Sequence, residues 1–168
     1  MKTAVVDASS AILLFKAGLF DRLIRTYAAV FPEAVRSELT AEGYPGATEF
    51  RRAFRHRRVA ERGVSDFSLP PEAAALHAGE REAIGLFLSG VGDFLVLDDR
   101  RGALACRALS IPFINALLFP RILWLSGRMA ESGFRRATAR VAAAGRYGEE
   151  IRAKARTLGK RDLAVFLP

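Results

Sequence analysis

Residues 94–102 read Phe-Leu-Val-Leu-Asp-Asp-Arg-Arg-Gly. The continuous apolar run from Phe94 to Leu97 predicts a strand buried on both faces, as in a parallel sheet covered by helices. Asp98 and Asp99 follow at once, and then a helical stretch, RRGALACRAL. In open α/β sheets ligands bind outside the carboxyl ends of the strands, so an acidic pair here stands where a site is expected. Two adjacent negative charges repel, and a hard cation would relieve that repulsion. Asp is also a preferred helix N-cap, so a purely structural role for Asp98 or Asp99 stays open at this point.

The start of the chain repeats the design. Thr3 to Val6 is a short β-prone run that ends in Asp7, followed by Ala8, Ser9, Ser10 and the helical AILLFKAGLFDRLI. Asp7 too would serve as an N-cap, and Ser9 or Ser10 would either help that cap or add a hydroxyl to a site. Parallel neighbouring strands that both end in Asp would bring those ends within reach of one cation. Two further carboxylates come from helices. After a strand expected at Tyr27 to Phe31, Pro32 opens the helix PEAVRSELT, where proline is well tolerated. At 100° per residue, Ala34, Val35 and Leu39 lie within about 100° of Glu38, which puts Glu38 on the buried stripe. The competing reading is a Glu at the stripe edge paired with an arginine. The helix opened by His77 runs to about Ser89; Ile84 and Phe87 lie within about 40° of Glu80, whereas Glu82 points roughly 160° away. Glu80 is expected to face the core and Glu82 the surface. Gly90 and Gly92 end that helix and lead into the central strand.

Between these stretches, GYPG at 43–46 predicts a turn, Glu49 to His56 an arginine-dense helix, Arg57 to Ala60 a further strand or edge segment, and Phe67 to Pro71 a loop. With 168 residues, 51% of them hydrophobic, the chain is long enough for one well-buried core and too short for two comfortable ones. One cysteine, Cys106, excludes an internal disulfide and a cysteine-rich zinc site, and two histidines, His56 and His77, leave little for imidazole chemistry. Catalysis, if present, falls to carboxylates. Met1 to Asp7 reads as a strand rather than a signal peptide. The longest apolar stretch, Ile111 to Leu118, contains Pro112 and Asn115 and falls short of the roughly 20 residues that span a bilayer. A soluble, cytoplasmic protein without membrane contact is expected. The net charge of +8 is uneven: residues 1–119 carry 15 Lys and Arg against 14 Asp and Glu, and residues 120–168 carry 11 against 4. A basic surface attracts polyanions, nucleic acid first among them.

The four stretches VVDASS, PEAVRSEL, GEREAI and VLDDRRG resemble, in order and rough spacing, the motifs of the PIN-domain ribonucleases, particularly the branch related to VapC toxins of type II toxin–antitoxin systems. The resemblance covers residues 3 to about 119. It implies an α/β, PIN-like three-layer α/β/α fold around a central, mostly parallel sheet. The organisation expected is a nuclease region at 1–119 and a basic helical C-terminal extension of the same domain at 120–168. The family's acidic positions fall on Asp7, Glu38, Glu80 and Asp99, with Asp98 beside the last; a Glu stands at 80 where many members have Asp. The resemblance implies metal-dependent hydrolysis of RNA, with Mg²⁺ or Mn²⁺ held by Asp7, Glu80, Asp98 and Asp99 and with Glu38 as ligand or base. It also implies a small antitoxin as protein partner.

Related sequences often have a Gly-Thr-Gly turn where Asn115, Ala116 and Leu117 stand. This departure supports an alternative, a catalytically silent PIN-like module that binds RNA or protein. A phosphoacceptor receiver domain also gathers aspartates at strand ends. It requires its acidic pair after the first strand and a lysine after the last, whereas here the pair comes late and Asn115 follows the last strand. Beyond Arg121 the sequence predicts two or three short helices broken at Gly127, Gly133 and Gly145. Ile151 to Lys160 reads as a basic helix or frayed tail. These helices are expected to contact phosphates, to pack on the core or to form the face of a homodimer.

Overall fold

The computed structural model describes residues 1–44, 46–55, 59–63 and 69–168. The expected features at Pro45, at His56 to Arg58 and at Phe67 to Ser68 therefore lie outside the described residues. Five strands, β1 (Thr3–Val6), β2 (Ala28–Pro32), β3 (Val59–Arg62), β4 (Phe94–Val96) and β5 (Phe113–Ile114), form one sheet in the order β3-β2-β1-β4-β5, and every pairing is parallel. Parallel neighbours need long crossovers, and helices supply them. Helices α1 (Ala8–Lys16) and α2 (Phe20–Thr26) join β1 to β2; α3 (Glu33–Leu39) and α4 (Ala47–Ala53) lie between β2 and β3. Helices α5 (Pro71–Ala74) and α6 (Ala78–Leu88) precede β4, and α7 (Arg100–Ala108) joins β4 to β5. The α/β layered fold expected from the sequence is the fold observed.

The two-residue period of the strands divides the core between two faces. Ala4, Val6, Ala29, Phe31, Phe94, Val96 and Ile114 pack on one side with α1 and α2. Val5, Val30, Leu95 and Leu97 pack on the other with α6 and α7. Both faces of β1 and β4 are buried, which is why these strands read as unbroken apolar runs.

The C-terminal part comprises α8 (Phe119–Leu125), α9 (Glu131–Ala144) and α10 (Glu149–Thr157). The expected breaks at Gly127 and Gly145 are present, Gly127 with φ +74° and Gly145 as the C-cap of α9. Gly133 is not a break. It lies in the first turn of α9, where a Cβ would meet Met129 Cγ at 3.0 Å, so its smallness serves packing rather than termination. Nor is the end of the chain frayed. Ala155 and Leu163 are buried in the larger core, Phe166 packs edge-on against Phe94 at 5.2 Å, and the Phe166 carbonyl accepts a hydrogen bond of 2.5 Å from the Tyr27 hydroxyl. Lys2 Nζ donates to the carbonyls of Ala164 and Val165, tying the end of the chain to its beginning. Among the described residues no helix is long and apolar enough to cross a membrane.

Candidate active site

The sheet order places β1 in the centre, with the chain running outward to β2 and β3 on one side and to β4 and β5 on the other. The reversal lies between β1 and β4, and the crevice at the carboxyl ends of such a pair is where doubly wound sheets bind ligands. Val6 and Val96 are register partners at the end of these strands, and the Asp7 N–H donates to the Val96 carbonyl at 3.0 Å. Asp7 is therefore locked directly beside the start of the Asp98–Asp99 turn.

Each strand-end acid is also a helix cap, so the structural and the site readings meet in the same side chains. Asp7 caps α1: its Oδ2 accepts from the Ser9 N–H at 3.1 Å and from the Ser9 hydroxyl. Its Oδ1 is turned toward α6, 3.7 Å from where a Cβ on Gly79 would stand. Asp99 caps α7, and both of its bonds, from the N–H groups of Arg101 at 2.7 Å and Gly102 at 3.0 Å, fall on Oδ1. In each carboxylate the cap bonds fall on a single oxygen.

Glu80 is buried on the first turn of α6, as its place on the helical wheel predicts, and its Oε2 accepts from the His77 N–H at 3.2 Å. Gly102 brings α7 close beside it: a Cβ there would stand in ordinary contact with Glu80 Cγ, at 3.8 Å, but would press to 3.0 Å from Leu97 Cδ1. Gly79 does the same for α6 and α3, because a Cβ would press to 2.9 Å from Val35 Cγ2. The N-termini of α1, α6 and α7 thus converge on the crevice, and their partial positive charge favours anionic groups there.

Glu38 is not on the buried stripe. The buried residues of α3 are Val35 and Leu39, and Glu38 sits at the stripe's edge, exposed. It still belongs to the acidic neighbourhood: desolvation by the packed helices around it, and then the Asp7 charge nearby, raise its pKa from the ordinary value. Glu82 corrects the reading in the other direction. It is half-buried and its Oε2 accepts from the Ala34 N–H at 2.9 Å, capping the first turn of α3. Pro32, the N-cap of α3, has no side-chain acceptor, so the exposed helix terminus takes one from α6.

Asp98 is engaged more fully than its neighbour. Its Oδ1 accepts from the Tyr147 hydroxyl at 2.6 Å, and its Oδ2 accepts from the Ser10 hydroxyl at 2.6 Å and the Ala116 N–H at 2.9 Å. Tyr147 follows α9, 49 residues along the chain from Asp98, and no local sequence pattern marks it as a member of this cluster. Ala116 belongs to the altered 115–117 turn, which still reaches the site through its backbone. Asn115 Oδ1 accepts from the Leu118 N–H at 3.1 Å and holds that turn closed.

Burial first, and like charge second, sets the electrostatics. The pKa values of Asp7, Glu80 and Asp98 are all raised by desolvation; Asp99 adds to the rise at Asp7 and Glu80, and Asp7 to that at Glu80 and Asp98. Among the described residues none of these five carboxylates is ion-paired with Lys or Arg. An oxygen-only, uncompensated anionic set is the donor chemistry that suits a hard divalent cation. The side chains are not gathered into a ready ligand set, however: among the described residues no group of three or more His, Cys, Asp or Glu stands close enough to hold a metal ion. Beside the carboxylates lies a cleft of about 390 Å³ lined by Ser9, Asp98, Asp99, Arg146 and Tyr147 among others.

The family model DUF3368, described as a PIN domain, matches residues 3–119. No curated protein and no solved structure matches the chain. The matched span contains all five strands, the switch point and every carboxylate of the crevice, and ends at the first residue of α8. The chain belongs to the PIN-domain family, whose fold is that of a nuclease.

Proposed function

We propose that this protein is a Mg²⁺- or Mn²⁺-dependent endoribonuclease whose metal is held by Asp7, Glu80 and Asp99, and that it is the toxin of a toxin–antitoxin pair acting in the cytoplasm. The support for the reading is that Asp7 and Asp99 follow the adjacent strands β1 and β4 at the switch point of the sheet, that Glu80 stands on the first turn of α6 with its pKa raised by burial and by both of them, and that none of the three has a Lys or Arg partner among the described residues. When bound, the ion would neutralise charge on a phosphodiester and acidify a water. The protein's own contribution is placement. Caps fix Asp7 and Asp99, the His77 N–H fixes Glu80, and three helix N-termini favour the phosphate. Glu38, exposed beside Asp7 with a raised pKa, is suited to take a proton from an attacking water. Asp98 is assigned an anchoring role, because both its oxygens already hold the protein together.

The second reading, a silent module, is supported by the Asn115-Ala116-Leu117 turn. Incubating the purified chain with single-stranded RNA separates the two: cleavage that requires Mg²⁺ or Mn²⁺ and stops in EDTA supports the enzyme, and intact RNA in all conditions supports the module. The toxin assignment is tested separately. An acidic crevice invites a partner segment that presents arginine, so a small inhibitory protein is expected to co-purify from the native host. A chain recovered alone, active and harmless to that host would remove the toxin assignment and leave the nuclease standing.

A further inference from the structure

Beyond the family-matched span, α8, α9 and α10 enclose a hollow of about 530 Å³ whose lining includes Arg121, Trp124, Phe134, Thr138, Arg152 and Arg156. Its size falls in the range of small-molecule sites. Trp124 and Phe134 stack with centroids 5.2 Å apart and planes 13° from parallel, and the Arg121 guanidinium lies 4.7 Å from the indole centroid and 5.5 Å from the phenyl centroid. The arginines fall into two kinds. Arg135 and Arg156 are neutralised by Glu131 and Glu149. Arg121 and Arg152 have no carboxylate partner among the described residues; each is anchored through Nε to a backbone carbonyl, Leu158 at 2.8 Å and Tyr147 at 2.9 Å. That anchoring fixes two guanidinium forks and leaves their Nη groups uncommitted. Arg121 is partly buried, and desolvation lowers its pKa, as expected of a cation that lacks its anion. Thr138 Oγ1 is buried without a hydrogen-bond partner in the same wall.

We propose that this hollow is a second nucleic-acid site, in which one nucleotide of a single strand places its phosphate on Arg121 and Arg152 and its base against the Trp124–Phe134 pair. Fixed forks match phosphate geometry, and a base offers a π-face whatever its sequence, whereas an acidic peptide would use the arginines and leave the aromatic pair idle. The choice of RNA rests on the nuclease reading. Arg152 also bonds the backbone of Tyr147, whose hydroxyl donates to Asp98, so two hydrogen bonds link the lining of the hollow to the acidic crevice.

Trp124 is the chain's one tryptophan, which makes its emission a reporter of this site. The full-length protein, held in EDTA so that no cleavage intervenes, is titrated with short oligouridylate, UMP, uridine, inorganic phosphate and polyglutamate. Saturable quenching by oligouridylate is expected, with UMP weaker and uridine and phosphate weaker still. Arg121→Gln is expected to weaken oligouridylate by about tenfold or more, and its salt slope to fall by about 0.7 for each phosphate no longer neutralised. Arg152→Gln is the second variant, which decides if the loss of the Arg121 anchor unfolds the chain, and the ion-paired Arg135→Gln is expected to change little. Trp124 emission that stays constant while labelled RNA saturates the protein overturns the site. Equal affinity for UMP or for phosphate overturns the strand assignment, and quenching by polyglutamate without RNA assigns the hollow to a protein partner instead. A silent Trp124 in a protein that still cleaves RNA in Mg²⁺ rejects this site alone, whereas a responsive Trp124 in a protein that never cleaves rejects the catalytic reading alone.

Discussion

In residues 3–119 the decisive charges are carboxylates gathered at one edge of the sheet, unpaired among the described residues and held in place by helix caps and backbone N–H groups. In residues 120–168 they are arginines, part of them neutralised by Glu131, Glu149 and Glu150 along the same helices and part anchored to carbonyls. The first region leaves its carboxylates without a Lys or Arg partner among the described residues, which costs stability. The second distributes its excess over helix faces and keeps a few cations fixed. The two meet where the Tyr147 hydroxyl donates to Asp98 and the extension reaches the carboxylates.

The harshest way to break that comparison is to remove residues 146–168. A detachable basic arm would leave a stable nuclease region. Loss of the buried Ala155 and Leu163, of the Phe166 ring on Phe94 and of the Tyr27 hydroxyl's acceptor predicts instead a loss of about 5 kcal/mol or more, comparable with the whole stability of a domain. Denaturant titration of the truncated chain checks this, and a cooperative transition at the full-length midpoint would contradict it. The role of the extension's charge has to be read from point substitutions.

A sharper cut is made at the meeting point. Asp98→Ala leaves the hydroxyls of Ser10 and Tyr147 and the Ala116 N–H without their acceptor, and a loss of about 3 kcal/mol is expected. Tyr147→Phe removes one of the three bonds and is expected to cost about 1.5 kcal/mol. Chemical denaturation of both variants measures the difference. Equal effects for the two would mean that Asp98 serves the extension alone; no effect from Tyr147→Phe would separate the extension from the site.

The smallest effect concerns acid. The raised pKa values of Asp7, Glu38 and Glu80 mean that the folded chain binds protons which the unfolded chain releases between the ordinary carboxylate range and the raised values. Across that window stability falls as pH rises, so at neutral pH the repulsion is present in full. A divalent cation relieves it there and competes with protons lower down. Mn²⁺ at ten times its dissociation constant is expected to add about 1.4 kcal/mol at neutral pH, and the increment should shrink on acidification toward the ordinary carboxylate range. Thermal midpoints with and without Mn²⁺ at several pH values test this; an increment that grew on acidification would contradict it.

The parts of this architecture that are legible in the sequence are those in which a local pattern and its physical cause coincide. Apolar runs ending in Asp mark β1 and β4 because a strand buried on both faces admits no polar residue until it leaves the sheet. The inward direction of Glu80 can be read because α6 is 11 residues long, enough for a stripe to define a direction. Helix α3 has seven residues and only two buried ones, so a wheel does not separate stripe from edge at Glu38. Glu82 points away from the core of its own helix but toward the uncapped end of another, a relation that exists only after α3 and α6 pack. Tyr147 on Asp98 and Lys2 on the last residues depend on long-range closure and have no local signature. Cap and site look like exclusive roles for Asp7 and Asp99 in the sequence, yet a carboxylate has two oxygens, and in the structure the cap bonds of each fall on one of them.

The most direct test of the central claim, that the strand-end carboxylates are a ligand set as well as caps, is cleavage of single-stranded RNA in Mg²⁺ or Mn²⁺ by Asp99→Asn, with the thermal stability of wild type and variant compared in EDTA. Asparagine keeps the shape and one oxygen, so it caps α7 nearly as well, while the site loses a negative charge. The expected result is abolished cleavage with an unchanged or higher thermal midpoint, since relieving repulsion does not weaken the empty site. Full cleavage by Asp99→Asn, or wild-type cleavage undiminished in EDTA, would contradict the account.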